Sequence, residues 1–237
     1  MRLRRFSFSR PGPGPSPGDI VALDQAQSHQ ALTVLRLPLG LEVELTGPWG
    51  LARASLDKVS QKPFPTLWVK MLSPFAAGPP AAPGPTLALS LIKGQRFDWA
   101  VEKATELGSS ALVPILTGRG NPLAAGEAKK TRWRRLSEEA RKQCGRPNPM
   151  DIRDPATLEN FLGLPIPGEK WLLDPGGEPL PIGPPGPVTL LVGPEGGLTG
   201  DEKQLAIGAG FAPFGLGPLT LRSETAAITA LARLLPA

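Results

Sequence analysis

The stretch LLVGPEGGLTGDE, residues Leu190–Glu202, joins an apolar run to a polar segment through a turn rich in glycine and proline. The apolar run does not alternate with polar residues, so it predicts a strand that is buried on both faces. Thr199, followed by Asp201 and Glu202, predicts a helix start, because a threonine hydroxyl caps first-turn amides and acids favour the helix N-terminus. The stretch therefore predicts a strand, turn and helix of a parallel sheet, with glycines that leave backbone groups open to a ligand.

Two other apolar strands end in similar turns, LLDPGGE at 172–178 and GLGPLTLRSETA at 215–226, where Ser223 is the predicted helix cap. Parallel sheets bind ligands beyond the carboxyl ends of their strands, so the three turns together predict one ligand site. Tight loop chemistry without a ligand is the competing interpretation for any single turn. No turn has the spacing of a P-loop or of GxGxxG, so neither nucleotide-binding motif is met.

The pattern of the chain divides it into two parts. Residues 1–75 contain short, partly alternating runs with turn residues between them, which predict a small β-barrel. One helix interrupts these runs, with Ser28 as its predicted N-cap. A proline- and glycine-rich linker is predicted at 76–85, and strands alternate with helices over 86–237. This alternation predicts an α/β domain with a mostly parallel sheet covered on both faces.

Composition narrows the class of protein. The single cysteine, Cys144, cannot form an intramolecular disulfide, and the N-terminus has no apolar signal region. No apolar run is long enough to cross a membrane, so we expect a soluble cytoplasmic protein. His29 is the only histidine, and we interpret it as a packing residue at the helix start rather than as part of a zinc site or a Ser-His-Asp triad.

The chain has 26 Lys and Arg against 21 Asp and Glu, a net charge of +5, which hints at an anionic partner. Its segments MRLRRFSFSR and KKTRWRR place cations around aromatic residues, as phosphate contact and base stacking require. A solvated charged face is the competing interpretation of each segment. The cations that we predict to contact RNA are Arg2, Arg4, Arg5, Arg10, Lys93, Lys129, Lys130, Arg132, Arg134, Arg135 and Arg146.

Five segments carry a resemblance to a known family. GPEGGLTGDE followed by LGPLTLRSETA resembles the paired motif of the bacterial 16S ribosomal RNA uridine-N3 methyltransferases, a branch of the SPOUT class. KGQRFDWAVEKATELG, RRLSEEARKQCGR and HQALTVLRLPLG resemble further segments of that family, in the right order over nearly the whole chain. The chain departs from the pattern at Leu198, where we expect Phe, and at Ser223, where Thr is commoner. LTGRGNP also lacks an expected acidic residue, so Arg119 has no assigned role.

The resemblance implies a C-terminal SPOUT methyltransferase domain threaded into a trefoil knot, a PUA-like N-terminal barrel that binds RNA, and a homodimer. It also implies that the three turns hold S-adenosyl-L-methionine and that the protein modifies ribosomal RNA of the small ribosomal subunit. The residues that the resemblance assigns to the cofactor are Leu172, Leu173, Val192, Gly193, Pro194, Gly196, Gly197, Leu216, Gly217, Leu219 and Leu221.

The implied reaction moves a methyl group to N3 of a uridine. Arg222 is the candidate cation for the charge that spreads onto the uracil oxygens, with a phosphate contact or a salt bridge to Glu195 or Glu224 as the competing interpretation. Glu195 is expected either to accept backbone amides of its own turn or to contact cofactor or substrate. Either glutamate is also a candidate base. A knotted methyltransferase acting on transfer RNA and a non-catalytic RNA-binding adaptor are the alternative functions.

Overall fold

The computed structural model describes residues 3–47, 49–61, 63–76, 84–121, 126–146, 148–183 and 187–235. The chain divides into two compact units, Met1–Ala81 and Ala82–Ala237. Arg2 and most of the predicted linker at 76–85 lie outside the described residues.

The first unit is built on one five-stranded sheet. Its strands are β1 (Arg4–Ser7), β2 (Ile20–Ala22), β3 (Glu42–Gly47), β4 (Gly50–Ser60) and β5 (Thr66–Met71). They are ordered β1-β3-β4-β5-β2, with β1 parallel to β3 and the other neighbours antiparallel. Alternate positions point to one face, where their side chains form a single apolar core.

The basic N-terminal segment is part of this sheet. Phe6 is fully buried and Phe8 is 6% exposed, because alternate side chains of β1 and the residue after it face the core. Arg5 donates two hydrogen bonds to the Glu44 carboxylate of the neighbouring strand, at 3.0 and 2.7 Å. The prediction that the phenylalanines stack on bases is therefore wrong, because both side chains pack inside the protein.

The inserted helix starts earlier than the sequence predicted. Helix α1 covers Gln25–His29 and continues as a π-helical turn over Gln30–Val34. Asp24 is its N-cap, since the Asp24 carboxylate accepts a first-turn amide. Ser28 is wrong as the predicted cap: its buried hydroxyl instead accepts the amide of Leu67, which fastens the helix to β5.

The second unit is built on a seven-stranded sheet whose paired strands are all parallel. Its strands are β6 (Thr86–Ser90), β7 (Ala111–Leu116), β8 (Asp151–Ile152), β9 (Ala156–Thr157), β10 (Glu169–Pro179), β11 (Val188–Val192) and β12 (Ala212–Gly215). Its helices are α2 (Arg96–Glu106), α3 (Glu127–Cys144), α4 (Leu158–Leu162), α5 (Gly200–Gly208) and α6 (Ser223–Arg233).

Helices cover both faces of this sheet. Phe97 of α2, Trp133 of α3 and Ala227 of α6 pack against one face, while Phe161 of α4 and Ala206 of α5 pack against the other. All residues of β11 are buried, as its uninterrupted apolar sequence predicts. The predicted α/β architecture with a mostly parallel sheet is confirmed. The short strands β8 and β9 were not predicted.

The strand order brings the three predicted turns to one edge. The path runs β12-β10-β11-β6-β7-β8, so the chain passes from β11 through α5 to a strand on the far side of β10. The carboxyl ends of β11 and β12 therefore lie beside β10. The predicted turn at 172–178 is not the end of that strand: it is an irregular part of β10, where the pairing register shifts between Leu173 and Glu178. Among the described residues, no helix is long and apolar enough to cross a membrane.

Candidate active site

A cleft lies at the carboxyl ends of β11 and β12, beside the irregular part of β10, and encloses about 760 Å³ of space, including its open mouth. Every residue that the sequence assigned to the cofactor lines this cleft except Gly196. The lining residues that were not assigned to the cofactor are Asp174, Pro175, Glu195, Leu198, Phe214, Thr220, Ser223 and Ala226.

The sharp turn after β11 depends on two glycines. A Cβ on Gly193 would lie 3.1 Å from the backbone nitrogen of Leu198, which folds back over it. Gly197 has a φ of +68°, a left-handed conformation that side chains disfavour. The β11 loop (residues 193–199) can therefore reverse direction within a few residues and keep its backbone at the cleft wall.

Two arginines outside the β11 loop hold it in place. Arg119 donates a 2.8 Å hydrogen bond to the carbonyl of Gly196, and Arg96 donates a 2.6 Å hydrogen bond to the carboxylate of Glu195. These contacts supply the role that the sequence could not assign to Arg119. They also explain why Gly196 is absent from the cleft lining: it turns toward Arg119, whose side chain lies 3.3 Å from the position of an added Cβ.

The loop ends in a capping box. Thr199 accepts the amide of Glu202, and the Glu202 carboxylate accepts the amide of Thr199 at 2.8 Å, so the predicted cap is confirmed. The second oxygen of Glu202 accepts the amide of Gly118 at 2.7 Å. Glu202 is buried, and it joins the start of α5 to the turn that follows β7.

Glu195 does not hold its loop in the way favoured from the sequence. Its carboxylate contacts the guanidinium of Arg96, and no backbone amide of the described residues donates to it. Arg96 also approaches Glu224, with 3.9 Å between Nε and Oε1. Arg96 thus lies between Glu195 and Glu224, the two candidate glutamates. Nothing in the sequence assigned a role to Arg96 itself.

The β12 loop (residues 216–222) forms the opposite wall and is differently built. Gly217 has a φ of +123°, and within the described chain residues 216–221 make no backbone-to-backbone hydrogen bond. Leu219 is 76% exposed. Ser223 is wrong as the predicted cap of α6, because it is the first helical residue and Arg222 occupies the cap position without a side-chain bond.

Arg222 lies outside the cleft, in a neighbouring groove. We define the Trp99 groove as the turn 93–96 together with Trp99, Arg222, Glu224 and Thr225, which line it. Arg222 is exposed and forms no ion pair with any described residue. The predicted salt bridges from Arg222 to the two glutamates are therefore wrong, since Arg96 occupies that position.

Asp174 is the lining residue with a shifted pKa. Partial burial is the largest single influence and raises the pKa of this carboxyl. A hydrogen bond from Lys203, another from the amide of Gly176 and the charge of Lys203 together outweigh burial and lower the pKa below its usual value. Asp174 therefore presents a negative charge at the cleft at neutral pH.

The basic helix segment KKTRWRR does not present its tryptophan to solvent. Trp133 is 1% exposed, packs on Phe97 with 4.5 Å between ring centroids, and donates its indole N–H to Asp98. Arg132 donates to the same carboxylate at 2.7 Å, while Lys130 pairs with Asp154. The predicted stacking role for this aromatic is wrong, because the tryptophan is the buried face of an amphipathic helix.

The predicted RNA-binding cations fall into two groups. Arg5, Lys130 and Arg132 are held by carboxylates, and Arg146 is partly buried, which lowers its pKa. The others are exposed, namely Arg4, Arg10, Lys93, Lys129, Arg134 and Arg135. In the part of the chain that the structure describes, no cluster of three or more His, Cys, Asp or Glu could hold a metal ion.

Known proteins resemble the chain in sequence. A model of the RNA methyltransferase domain family matches residues 82–235. A ribosomal RNA small subunit methyltransferase E from Synechocystis is 33% identical over 225 residues, in an alignment covering 90% of this chain and 72% of the relative. The enzyme of the same name from Aquifex aeolicus is 37% identical over 138 residues, covering 56% of this chain and 59% of the relative.

Solved structures resemble this chain along almost its whole length. A ribosomal RNA small subunit methyltransferase E from Neisseria gonorrhoeae, bound to S-adenosyl methionine, matches with a TM-score of 0.84 and 27% identity over 98% of this chain and 96% of its own. A candidate methyltransferase from Legionella pneumophila, in complex with bound SAM, matches with a TM-score of 0.83 and 30% identity at the same coverages. This chain belongs to the RNA methyltransferase family, alongside the ribosomal RNA small subunit methyltransferases E.

Proposed function

We propose that this protein uses S-adenosyl-L-methionine to methylate N3 of a uridine in 16S ribosomal RNA of the small subunit. One observation carries the proposal: the three glycine-rich turns form one cleft in a chain that matches SAM-bound relatives over 98% of its length. The names of those relatives supply the ribosomal RNA substrate, and the sequence motifs supply the choice of N3.

The cleft has the chemistry that S-adenosyl-L-methionine requires. Leu172, Val192 and Leu216 offer an apolar surface for the adenine ring. Asp174 and Glu195 bring negative charge to the lining, which suits a cofactor that carries a positive sulfonium and an amino group. The β12 loop provides backbone donors and acceptors that no described backbone group uses, and these suit the polar edge of the adenine.

When bound, the cofactor supplies a methyl group activated by the positive sulfur. The protein has to align the acceptor nitrogen with that methyl group and to stabilise the charge that develops as N3 loses its proton. Arg222 is the proposed cation for the uracil oxygens, because it is exposed at the start of α6 and no described carboxylate neutralises it. Glu195 is proposed to position Arg96 and the cleft wall, since its carboxylate accepts from that guanidinium.

The substrate must present an unpaired uridine, because N3 lies on the Watson–Crick edge. The exposed cations of α3, Lys129, Arg134 and Arg135, are proposed to contact phosphates, as are Arg4 and Arg10 in the first unit. These contacts predict that RNA affinity falls steeply as salt rises. Binding that did not change between about 50 mM and about 200 mM salt would remove this part of the proposal.

We also propose the finer architecture that the motifs imply: a PUA-like RNA-binding barrel at 1–75, a linker at 76–85 and a trefoil-knotted SPOUT domain at 86–237. The strand order supports the knot, because the chain crosses β10 to reach β12 and then returns to pack α6 beside β11 and β6. A homodimer is part of the same proposal. Sedimentation velocity over a hundredfold range of concentration tests the dimer, which requires about twice the mass of one 25.0 kDa chain.

Calorimetric titration with S-adenosyl-L-methionine tests the function, with Gly197→Arg as the variant. We expect one cofactor per chain for the unchanged protein and no binding for Gly197→Arg, because the new side chain occupies the cleft wall. Gly183→Arg is the matched control: Gly183 has a φ of +67°, has open space around its Cβ position and does not line the cleft. This control should bind the cofactor normally.

The outcomes separate the alternatives. If the folded protein does not bind the cofactor, an RNA-binding adaptor is the better account. If it binds the cofactor but methylates transfer RNA rather than small ribosomal subunits, the substrate proposal fails and the enzyme class stands.

A further inference from the structure

The Trp99 groove lies beside the cleft, and its aromatic side chain and its buried carboxylate have no role assigned so far. The groove combines this large aromatic side chain and buried carboxylate with three exposed cations, Lys93, Arg96 and Arg222. That combination is unusual on a protein surface, where aromatic side chains are mostly buried and carboxylates mostly solvated. These groups suit a flat ligand with polar edges that is joined to phosphate, such as a nucleotide base in RNA.

Trp99 is exposed, whereas the residues on either side of it in α2 are buried. Its side chain is 43% exposed, although it lies in α2 between the buried residues Asp98 and Ala100. The other tryptophans of this unit, Trp133 and Trp171, are 1% and 3% exposed. Exposed aromatics beside cations form the stacking platforms on which proteins bind unpaired bases.

Glu224 supplies the second, independent observation. It is 6% exposed, and its Oε2 atom has no hydrogen-bond partner among the described residues. Its other oxygen, Oε1, lies 3.9 Å from Nε of Arg96, beyond hydrogen-bond distance. Buried polar atoms are nearly always paired, so this carboxylate is set to accept a donor from a ligand in the groove.

The first turn of α6 borders both the groove and the cleft. Ser223 and Ala226 line the cleft, whereas Glu224 and Thr225 line the groove. The ion pair between Arg96 of the groove and Glu195 of the cleft crosses the same boundary. A ligand in the groove is therefore held next to a ligand in the cleft.

We propose that the Trp99 groove binds the target uracil, with its ring stacked on Trp99 and its N3–H donating to Glu224, which then takes the N3 proton. This inference rests on the proposed function for the choice of uracil. Glu195 is a poorer acceptor, because its carboxylate already accepts a 2.6 Å bond from Arg96. The charged groups that line the groove with Glu224 are Lys93, Arg96 and Arg222, whose positive charges suit the negative charge that develops on the uracil oxygens.

The step balances without a further reactant. The N3–H bond breaks and the proton moves to the carboxylate of Glu224. The nitrogen lone pair forms the new bond to the methyl carbon as the carbon–sulfur bond breaks, which leaves a neutral thioether. Glu224 then returns its proton to solvent.

Binding without cofactor tests the groove. A labelled uridine nonamer is titrated against the unchanged protein, Trp99→Leu and Glu224→Gln, with affinity read from anisotropy and stacking from tryptophan quenching. Trp99→Leu should weaken binding about tenfold and remove the quenching, since a stacked base contributes strongly to affinity. Glu224→Gln should bind nearly as well, because the amide oxygen still accepts the N3–H.

Methyl transfer to small ribosomal subunits tests the proton acceptor. Glu224→Gln should lose at least about a hundredfold in rate, the usual contribution of a general base. Asp201→Asn is the matched control, an exposed acid in the first turn of α5, and should transfer at the normal rate.

Two results would overturn the inference: a normal transfer rate for Glu224→Gln, or unchanged affinity and quenching for Trp99→Leu. Calorimetry with S-adenosyl-L-methionine on every variant checks the fold and keeps the two proposals apart. A protein that binds the nonamer through Trp99 but binds no cofactor would contradict the proposed function and not the groove.

Discussion

The two walls of the cleft are built in opposite ways. The β11 loop is held from outside by Arg96 and Arg119, and it ends in a capping box whose Glu202 also accepts an amide from the turn after β7. The β12 loop, across the cleft, has no backbone-to-backbone hydrogen bond among residues 216–221 within the described chain and exposes most of Leu219.

Because of this difference, we expect the two walls to contribute to ligand binding in different ways. A wall fixed before the ligand arrives loses little conformational entropy on binding, so it provides geometry and selectivity. A wall whose backbone groups make no hydrogen bond within the protein exchanges hydrogen bonds with water for hydrogen bonds with the ligand, so it orders as it binds. Side-chain substitutions in the β11 loop should therefore change stability first, and those in the β12 loop should change ligand affinity first. Glycines with positive φ are the exception in either loop, because backbone strain there also costs stability.

Glu202→Ala should give the largest effect on stability. It removes a buried carboxylate that accepts two backbone amides and leaves the amides of Gly118 and Thr199 without their partner. We expect the free energy of unfolding to fall by about 3 kcal/mol. Urea denaturation followed by circular dichroism measures the change.

Asp201→Ala is the control for this prediction, because Asp201 is exposed and lies in the same helical turn. It should change stability by less than about 0.5 kcal/mol. Equal losses for the two variants would show that the helix N-terminus, rather than the link to the turn after β7, supports the wall.

Gly217→Val should come next. A Cβ at Gly217 has open space, so the cost is the strain of a side chain at a φ of +123°, about 1–2 kcal/mol. Leu219→Ser, in the same loop, removes little buried surface, because Leu219 is mostly exposed. It should leave stability nearly unchanged while weakening S-adenosyl-L-methionine binding. Urea denaturation and calorimetry measure the two quantities. If Leu219→Ser destabilised the protein and left affinity unchanged, the contrast between the walls would be wrong.

Local patterns predicted the parts of the site that local physics determines. The apolar sequence of β11 predicted a strand buried on both faces, and Thr199 with Glu202 predicted the capped start of α5. The three turns were placed at one site because parallel strands end at the same edge of a sheet. These inferences need only neighbouring residues and a general rule about sheets.

Contacts between distant segments could not be predicted in this way. Arg96 and Glu195 are 99 positions apart, and Arg119 and Gly196 are 77 apart, so nothing in the spacing connects them. Trp133 shows a second reason why sequence-based prediction fails: one local pattern fits two structures. A buried aromatic on an amphipathic basic helix and an exposed aromatic in an RNA-binding patch have the same local sequence, and only packing on Phe97 separates them.

Arg119→Met should have a smaller effect on stability than the changes at Glu202 and Gly217. It removes the hydrogen bond to the Gly196 carbonyl at an exposed position, for a loss of about 1 kcal/mol. The loop it holds lines the cleft, so S-adenosyl-L-methionine affinity should fall about fivefold, as measured by calorimetry. Arg153→Met is the control, because it breaks an exposed ion pair with Asp151 away from the cleft and should leave cofactor affinity unchanged. Equal affinities for both variants would remove the bracing role of Arg119.

Asp174→Asn should give the smallest effect, and a pH-dependent one. The pKa of Asp174 is lowered in the folded protein, so its ionised carboxylate stabilises the fold above its ordinary pKa of about 4, and that contribution is lost as the pH falls through the lowered value. The variant should therefore be less stable than the unchanged protein at about pH 6, by about 0.5 kcal/mol for a solvent-screened pair, and the difference should shrink toward about pH 3. Urea denaturation at the two pH values measures it. In a Lys203→Met background the Asp174→Asn substitution should lose most of this effect, because Lys203 donates the 2.8 Å contact that joins Asp174, in the irregular part of β10, to α5. If the stability difference between the unchanged protein and the Asp174→Asn variant did not change with pH, this part of β10 would gain its order from shape rather than charge.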